Sequence, residues 1–184
     1  MHKKLIVLSI AALFGTTAAQ AANQTSVEFL GNVQAISCDI NVNGQSQVSL
    51  GTVKTSDFAT ANSAITAGQK EFQIALTGCD TPAAAGTASL EVSGDTVSGT
   101  NNIFLQKSKN PTSNVGVMLM NGANPVENGS LVEIGKVTEG EGGALNPLTD
   151  NTVTLTAAYA STATAQNVTV GTFNAPVLFS FVYQ

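Results

Sequence analysis

Large apolar residues recur at every second position of this chain in short runs, with turn-forming residues between the runs. Successive side chains of an extended strand point to opposite faces, so each run predicts a strand with one face turned inward. In "VEFLGNV" the apolar positions Val27, Phe29 and Val33 are odd; beyond Gln34 and Ala35 the phase flips, and Ile36, Cys38, Ile40 and Val42 are even. A one-residue slip turns every side chain of a strand to the other face, so a bulge or a change of sheet is expected at residues 34–35. Asn43 and Gly44 then supply a hairpin-type turn.

"QVSLGTV" predicts a strand through Val48 and Leu50. "TSDFATANSA" loses the alternation, and Ser56 or Asp57 is placed to cap one helical turn. "EFQIALTGC" sets Phe72, Ile74 and Leu76 on one face, and "ASLEVSG" turns Leu90 and Val92 inward and Glu91 outward. "VGVMLM" holds Val115, Val117 and Leu119 in phase, before a loop rich in Asn, Gly and Pro. "KVTEGEGGALNPLTDN" has the composition of a flexible loop. "TVTLTAAYAST" alternates most cleanly, with Val153, Leu155, Ala157 and Tyr159 on one face. After "NVTVGTF" the sequence closes on "APVLFSFVYQ", where Val177, Phe179, Phe181 and Tyr183 share one parity. Terminal segments are usually polar and frayed; this one reads as a core strand carried to the last residue.

No segment keeps a helical period for three turns, no internal repeat stands out, and no linker divides the chain. Many short strands with frequent turn signals predict an all-β sandwich or barrel.

The first residues change the accounting. Lys3 and Lys4 precede an apolar run from Leu5 to Phe14, and Ala19-Gln20-Ala21 follows. That is the layout of a secretory signal peptide over residues 1–21, with a run too short for a membrane span. The other reading is a buried N-terminal element. Removal of the signal leaves a chain of one-domain size. The only histidine, His2, leaves with it, and five lysines remain (Lys54, Lys70, Lys107, Lys109, Lys136) against twelve acids. There is no arginine. Such a surface repels phosphate backbones, which argues against nucleic-acid binding. The two cysteines, Cys38 and Cys79, read as one disulfide in an exported chain, with two buried free thiols as the alternative.

Catalytic chemistry finds little to use. Without histidine there is no Ser-His-Asp or Cys-His arrangement. A disulfide removes the thiolate nucleophile. The acids are scattered without an aromatic platform, which disfavours a glycosidase pair. Glu139 and Glu141 sit among glycines without the EF-hand ligand order, so they read as a solvated loop. "EGEGG" lacks the lysine and hydroxyl of a phosphate loop. The Asn-x-Ser/Thr triplets at Asn23, Asn128 and Asn167 are chance matches in a polar chain. The expectation is no enzyme, no cofactor and no metal.

Five fragments, in order, resemble the type 1 pilin-like subunits of Gram-negative chaperone–usher fimbriae. "VEFLGNVQAISC" is similar to the family's opening strand, and "FQIALTGC" to the strand that delivers the second cysteine. "VGVMLMNGANPVENG" is similar to the mid-chain strand and loop, "LTAAYAST" to the aromatic strand near the end, and "FSFVYQ" to the closing strand. The resemblance implies an incomplete immunoglobulin-like β-sandwich that lacks its final strand and is completed by donor-strand complementation. It implies three partners: a periplasmic pilus chaperone, an outer-membrane usher, and neighbouring pilin subunits. It implies export through the periplasm to a fimbrium at the cell surface, and a part in cell adhesion.

On that resemblance, residues 22–31 are the donor extension, with Thr25, Val27 and Phe29 as its inward plugs, and residues 32–184 are the pilin domain. The sequence alone favours the plainer reading, in which Val27 and Phe29 begin the first strand of their own domain; the resemblance is what assigns them the donor role. The extension departs from the family in carrying Thr25 where a glycine is common, and in starting few residues before Val27. Val177, Phe179, Phe181 and Tyr183 border the groove, and the family's chaperones hold the terminal carboxylate, here that of Gln184. Leaving about four core side chains uncovered forfeits roughly 6–12 kcal/mol as an upper bound, against a domain stability of about 5–15 kcal/mol. A rod subunit is the favoured role. A minor adaptor pilin, or a self-contained exported binding module, are the alternatives.

Overall fold

The computed structural model describes residues 36–42, 47–148 and 151–184. The signal-type start, the donor candidates Thr25, Val27 and Phe29, the phase change at residues 34–35 and the Asn43-Gly44 turn lie outside the described residues.

The described chain is all-β. Its strands are β1 (Asp39–Val42), β2 (Ser63–Ala64), β3 (Lys70–Thr77), β4 (Gly86–Ser93), β5 (Val115–Asn121), β6 (Asn124–Pro125), β7 (Leu131–Val137), β8 (Thr152–Ser161) and β9 (Leu178–Tyr183). Single 3-10 turns lie at Thr55–Asp57, Glu141–Gly143 and Ala165–Asn167. One sheet runs β1-β3-β8-β5-β6, with β2 also against β8; the other runs β7-β4-β9. All pairings are antiparallel.

Alternation produces the core. Ile74 and Leu76 of β3 and Leu155 of β8 meet Leu90 and Val92 of β4 from the facing sheet, and none is more than 1% exposed. Glu91, between Leu90 and Val92, is exposed, as its parity requires. Cys38 and Cys79 are disulfide-bonded with Cα atoms 4.1 Å apart. The bond ties the entry of β1 to the exit of β3. Beside it the Asp80 N–H donates to the Ser37 carbonyl at 2.9 Å, and the Ser37 hydroxyl donates to the Asp80 carboxylate.

Several elements differ from the sequence expectation. Residues 47–53 form no strand; Val48 is exposed and Leu50 half-buried, and no ladder engages them. The helical turn is present at Thr55–Asp57, but Asp57 acts from its last position, its carboxylate accepting the Lys54 N–H at 2.9 Å. β7 was not foreseen. Its alternation breaks where Ile134 and Gly135 are both buried, at the point where its register against β4 shifts between Ala88 and Ser89. A bulge of this kind hides a strand from a period-two reading. The loop after it is not featureless: Glu139 bridges to Leu145, and the Asn146 N–H donates to the Thr138 carbonyl at 2.8 Å.

β5 and β8 are buried on both faces rather than one. Opposite the main core, Met118 and Ala160 pack against Val97, Ile103 and Leu105, which arrive from the segment after β4. That segment docks through Phe104, whose N–H donates to the Val117 carbonyl at 2.7 Å and whose carbonyl accepts the Val117 N–H at 2.9 Å. The approach requires Gly116, since a Cβ there would lie 2.3 Å from the Phe104 carbonyl oxygen.

Candidate functional site

Among the described residues, no group of three or more His, Cys, Asp and Glu is arranged to hold a metal. The feature with functional geometry is a groove of about 880 Å³ over the inner face of the larger sheet. Its floor is built by alternation: Phe72 from β3, Ala157 and Tyr159 from β8, and Val115, Val117 and Leu119 from β5. One wall is residues 47–53, and the other is residues 168–177 leading into Phe179 of β9.

Two aromatic contacts shape this space. Phe72 and Phe179 face each other from the two sheets with ring centroids 6.3 Å apart and planes tilted by 58°. Phe173 meets Tyr159 edge-on at 5.6 Å. The Tyr159 hydroxyl donates to the Gly51 carbonyl at 2.6 Å, which pins the first wall to the floor. Burial pushes the Tyr159 phenol above its ordinary pKa.

The groove is apolar but incompletely covered. Val42, Leu50, Val117, Val177 and Phe179 pack against the main core, yet each is only half-buried. Core side chains with this much surface left over mark a place where a further element gains burial energy.

β9 stands at the margin of its sheet. It pairs with β4 from Ala88–Tyr183 to Ser93–Leu178, and among the described residues no strand pairs with its other edge. An edge of that kind is a template for strand addition. Of the residues the sequence assigns to this strand, Val177 and Phe179 line the groove. Val177 directly precedes β9, and Phe181 and Tyr183 lie on the same face farther along, packed against the main core. The Tyr183 hydroxyl donates to the Ala84 carbonyl at 2.6 Å. Burial raises its pKa as well. Gln184 continues the ladder, exchanging hydrogen bonds with Thr87 at 2.7 and 3.1 Å. The strand is therefore regular to its last residue.

The second wall was missed in the sequence. "NVTVGTF" carries an apolar alternation that suggests a strand, but Val168 is buried and Val170 is 78% exposed, with a 3-10 turn just before them. Phe173, an aromatic within a polar stretch, was the available signal.

A sequence profile of the fimbrial protein family matches residues 27–184. No curated protein sequence matches the chain. Among solved structures, the chain is similar to the crystal structure of the P pilus rod subunit PapA, with a TM-score of 0.54 at 20% identity over 88% of this chain and 100% of that one. It is also similar to a subunit in the structure of a chaperone–usher pilus bearing on rod uncoiling, with a TM-score of 0.50 at 19% identity over 89% of this chain and 97% of that one. At such identities the likeness establishes the fold.

Proposed function

The chain belongs to the fimbrial protein family, whose members are structural proteins and not enzymes, and on that premise we propose that it is a rod subunit of a chaperone–usher fimbrium, polymerising head-to-tail by strand exchange. The N-terminal signal directs export and is removed. Residues 22–31 then serve as a donor strand, with Thr25, Val27 and Phe29 as inward plugs, and residues 32–184 form the pilin domain that accepts one.

The observation that carries this reading is the pairing of an unpartnered strand edge with a half-buried apolar floor. The edge belongs to β9 among the described residues, and the floor is the groove beside it. An added strand satisfies both: its backbone pairs with β9, and its alternate side chains enter the groove. Val177 and Phe179, with Phe181 and Tyr183 beyond them, are the edge residues that receive it, and Gln184 is the end that a chaperone grips. A periplasmic chaperone fills the groove first, an outer-membrane usher guides the exchange, and a neighbouring subunit fills it last. The two rod-pilus structures of the same fold support this assignment. The polymer stands at the cell surface, where it supports adhesion.

The test is Phe29→Lys in the full chain co-expressed with its chaperone. A charged plug does not enter an apolar groove, so polymer growth stops while the subunit–chaperone complex is recovered. Loss of that complex as well assigns Phe29 to the subunit's own core and contradicts the donor role, as does normal polymer growth.

A further inference from the structure

β9 has a second face. Leu178, Ser180 and Val182 alternate with the groove residues and lie on the outside of the smaller sheet. Their cross-strand neighbours on β4 are Ser93, Glu91 and Ser89. Leu178 is 64% exposed with only a serine beside it in the ladder, whereas Val182 is half-buried. On this face β9 presents an apolar, a polar and an apolar residue in sequence.

A strand added to the free edge of β9 extends this outer face as well as the inner one, because its side chains alternate too. With Thr25, Val27 and Phe29 turned into the groove, Ser26, Glu28 and Leu30 turn outward onto the face of Leu178, Ser180 and Val182. Centring Glu28 on Ser180 gives the carboxylate a hydroxyl donor. An antiparallel run continues the pairing used throughout the smaller sheet and sets Leu30 across from Leu178, the more exposed of the two apolar positions.

We propose that the joint between subunits is two-faced: Leu30 of a second copy of this chain packs on Leu178 outside the sandwich while Phe29 fills the groove inside. This rests on the donor-strand reading. The outer contact fixes register, since a shift by two residues sets Leu30 beside Ser180 or beyond the strand and leaves Leu178 uncovered. Cross-strand apolar pairs of this kind change an equilibrium only severalfold, so the contact tunes the joint and does not create it.

Fimbriae assembled from the full chain carrying Leu30→Cys with Leu178→Cys are oxidised and denatured without reductant. A covalent ladder of subunits is expected, and none from Leu30→Cys with Val182→Cys. As a second measurement, Leu30→Ser speeds subunit dissociation from the polymer by about threefold. A ladder from the Val182 pair alone overturns the register. Assembled fimbriae that give no ladder from either pair, with dissociation unchanged in Leu30→Ser, overturn the outer contact but leave the donor reading standing. Chains that never polymerise, even unsubstituted, overturn both.

Discussion

Phe72 and Phe179 meet across the interior from different sheets, 6.3 Å between ring centroids, Phe72 in the floor of the groove and Phe179 in its wall. Phe72 is 6% exposed and Phe179 half-buried. The pair therefore couples the core to the strand that borders the open edge. Phe72→Ala is expected to destabilise the subunit by about 3–5 kcal/mol, as for a buried aromatic. Phe179→Ala costs less in a subunit without a donor strand. On the proposed donor-strand reading an added strand covers Phe179 more deeply, so the same substitution is expected to cost more in the complemented form, and urea unfolding of both forms measures the difference.

Gly86 is where β4 lets the end of the chain pass. A Cβ on residue 86 would lie 2.5 Å from the Gln184 main-chain oxygen and 2.9 Å from the Tyr183 ring. Gly86→Ala forces the last residues of β9 away from β4, at about 1–3 kcal/mol. Hydrogen exchange should show faster exchange at Thr87 and Gln184, whose amides pair across this point, with little change in β3 and β8.

Removal of the disulfide frees the entry of β1. The cysteines are 41 residues apart in sequence, and a loop of that length is worth about 4 kcal/mol in the chain-entropy account. Cys38→Ser with Cys79→Ser should lower the melting temperature by roughly 8–16 °C for a domain of this size. An unchanged melting temperature excludes the bond as a significant source of stability.

Both structural tyrosines have raised pKa values through burial. A phenol whose folded pKa lies above its unfolded value holds its proton more tightly when folded. Its stabilisation is complete below the unfolded pKa of about 10 and is lost as pH rises through the folded value. Thermal stability should therefore be flat with respect to these groups through neutral pH and fall in the alkaline range. Tyr159→Phe with Tyr183→Phe should show a shallower alkaline fall, measured against the unsubstituted chain.

The sequence was legible where one face of a strand is buried and the ladder is regular. β3 follows its alternation closely, as does Leu90-Glu91-Val92 of β4 beyond its register shift, and Phe72, Ile74, Leu76, Leu90 and Val92 lie in the core as their parity predicts. β7 was hidden because its bulge at Ile134 and Gly135 breaks the period. Val48 and Leu50 alternate without a strand because no neighbour pairs with them; they serve instead as a wall. Met118 and Ala160 were unread because a second layer, delivered by Phe104 and its neighbours, covers the face that an isolated sandwich leaves to water. The aromatic row at the end of the chain was readable, but the second wall of the groove depends on a loop whose path no periodicity encodes.

The central claim is that this fold gains its full stability from a strand it does not supply to itself. Residues 23–33 appended after Gln184 through a short flexible linker place the donor sequence beside β9 of the same chain. The account predicts a soluble monomer whose melting temperature exceeds that of the unextended chain by on the order of 10–20 °C or more, given several half-buried core side chains newly covered. An extended chain that melts where the unextended one does would contradict it.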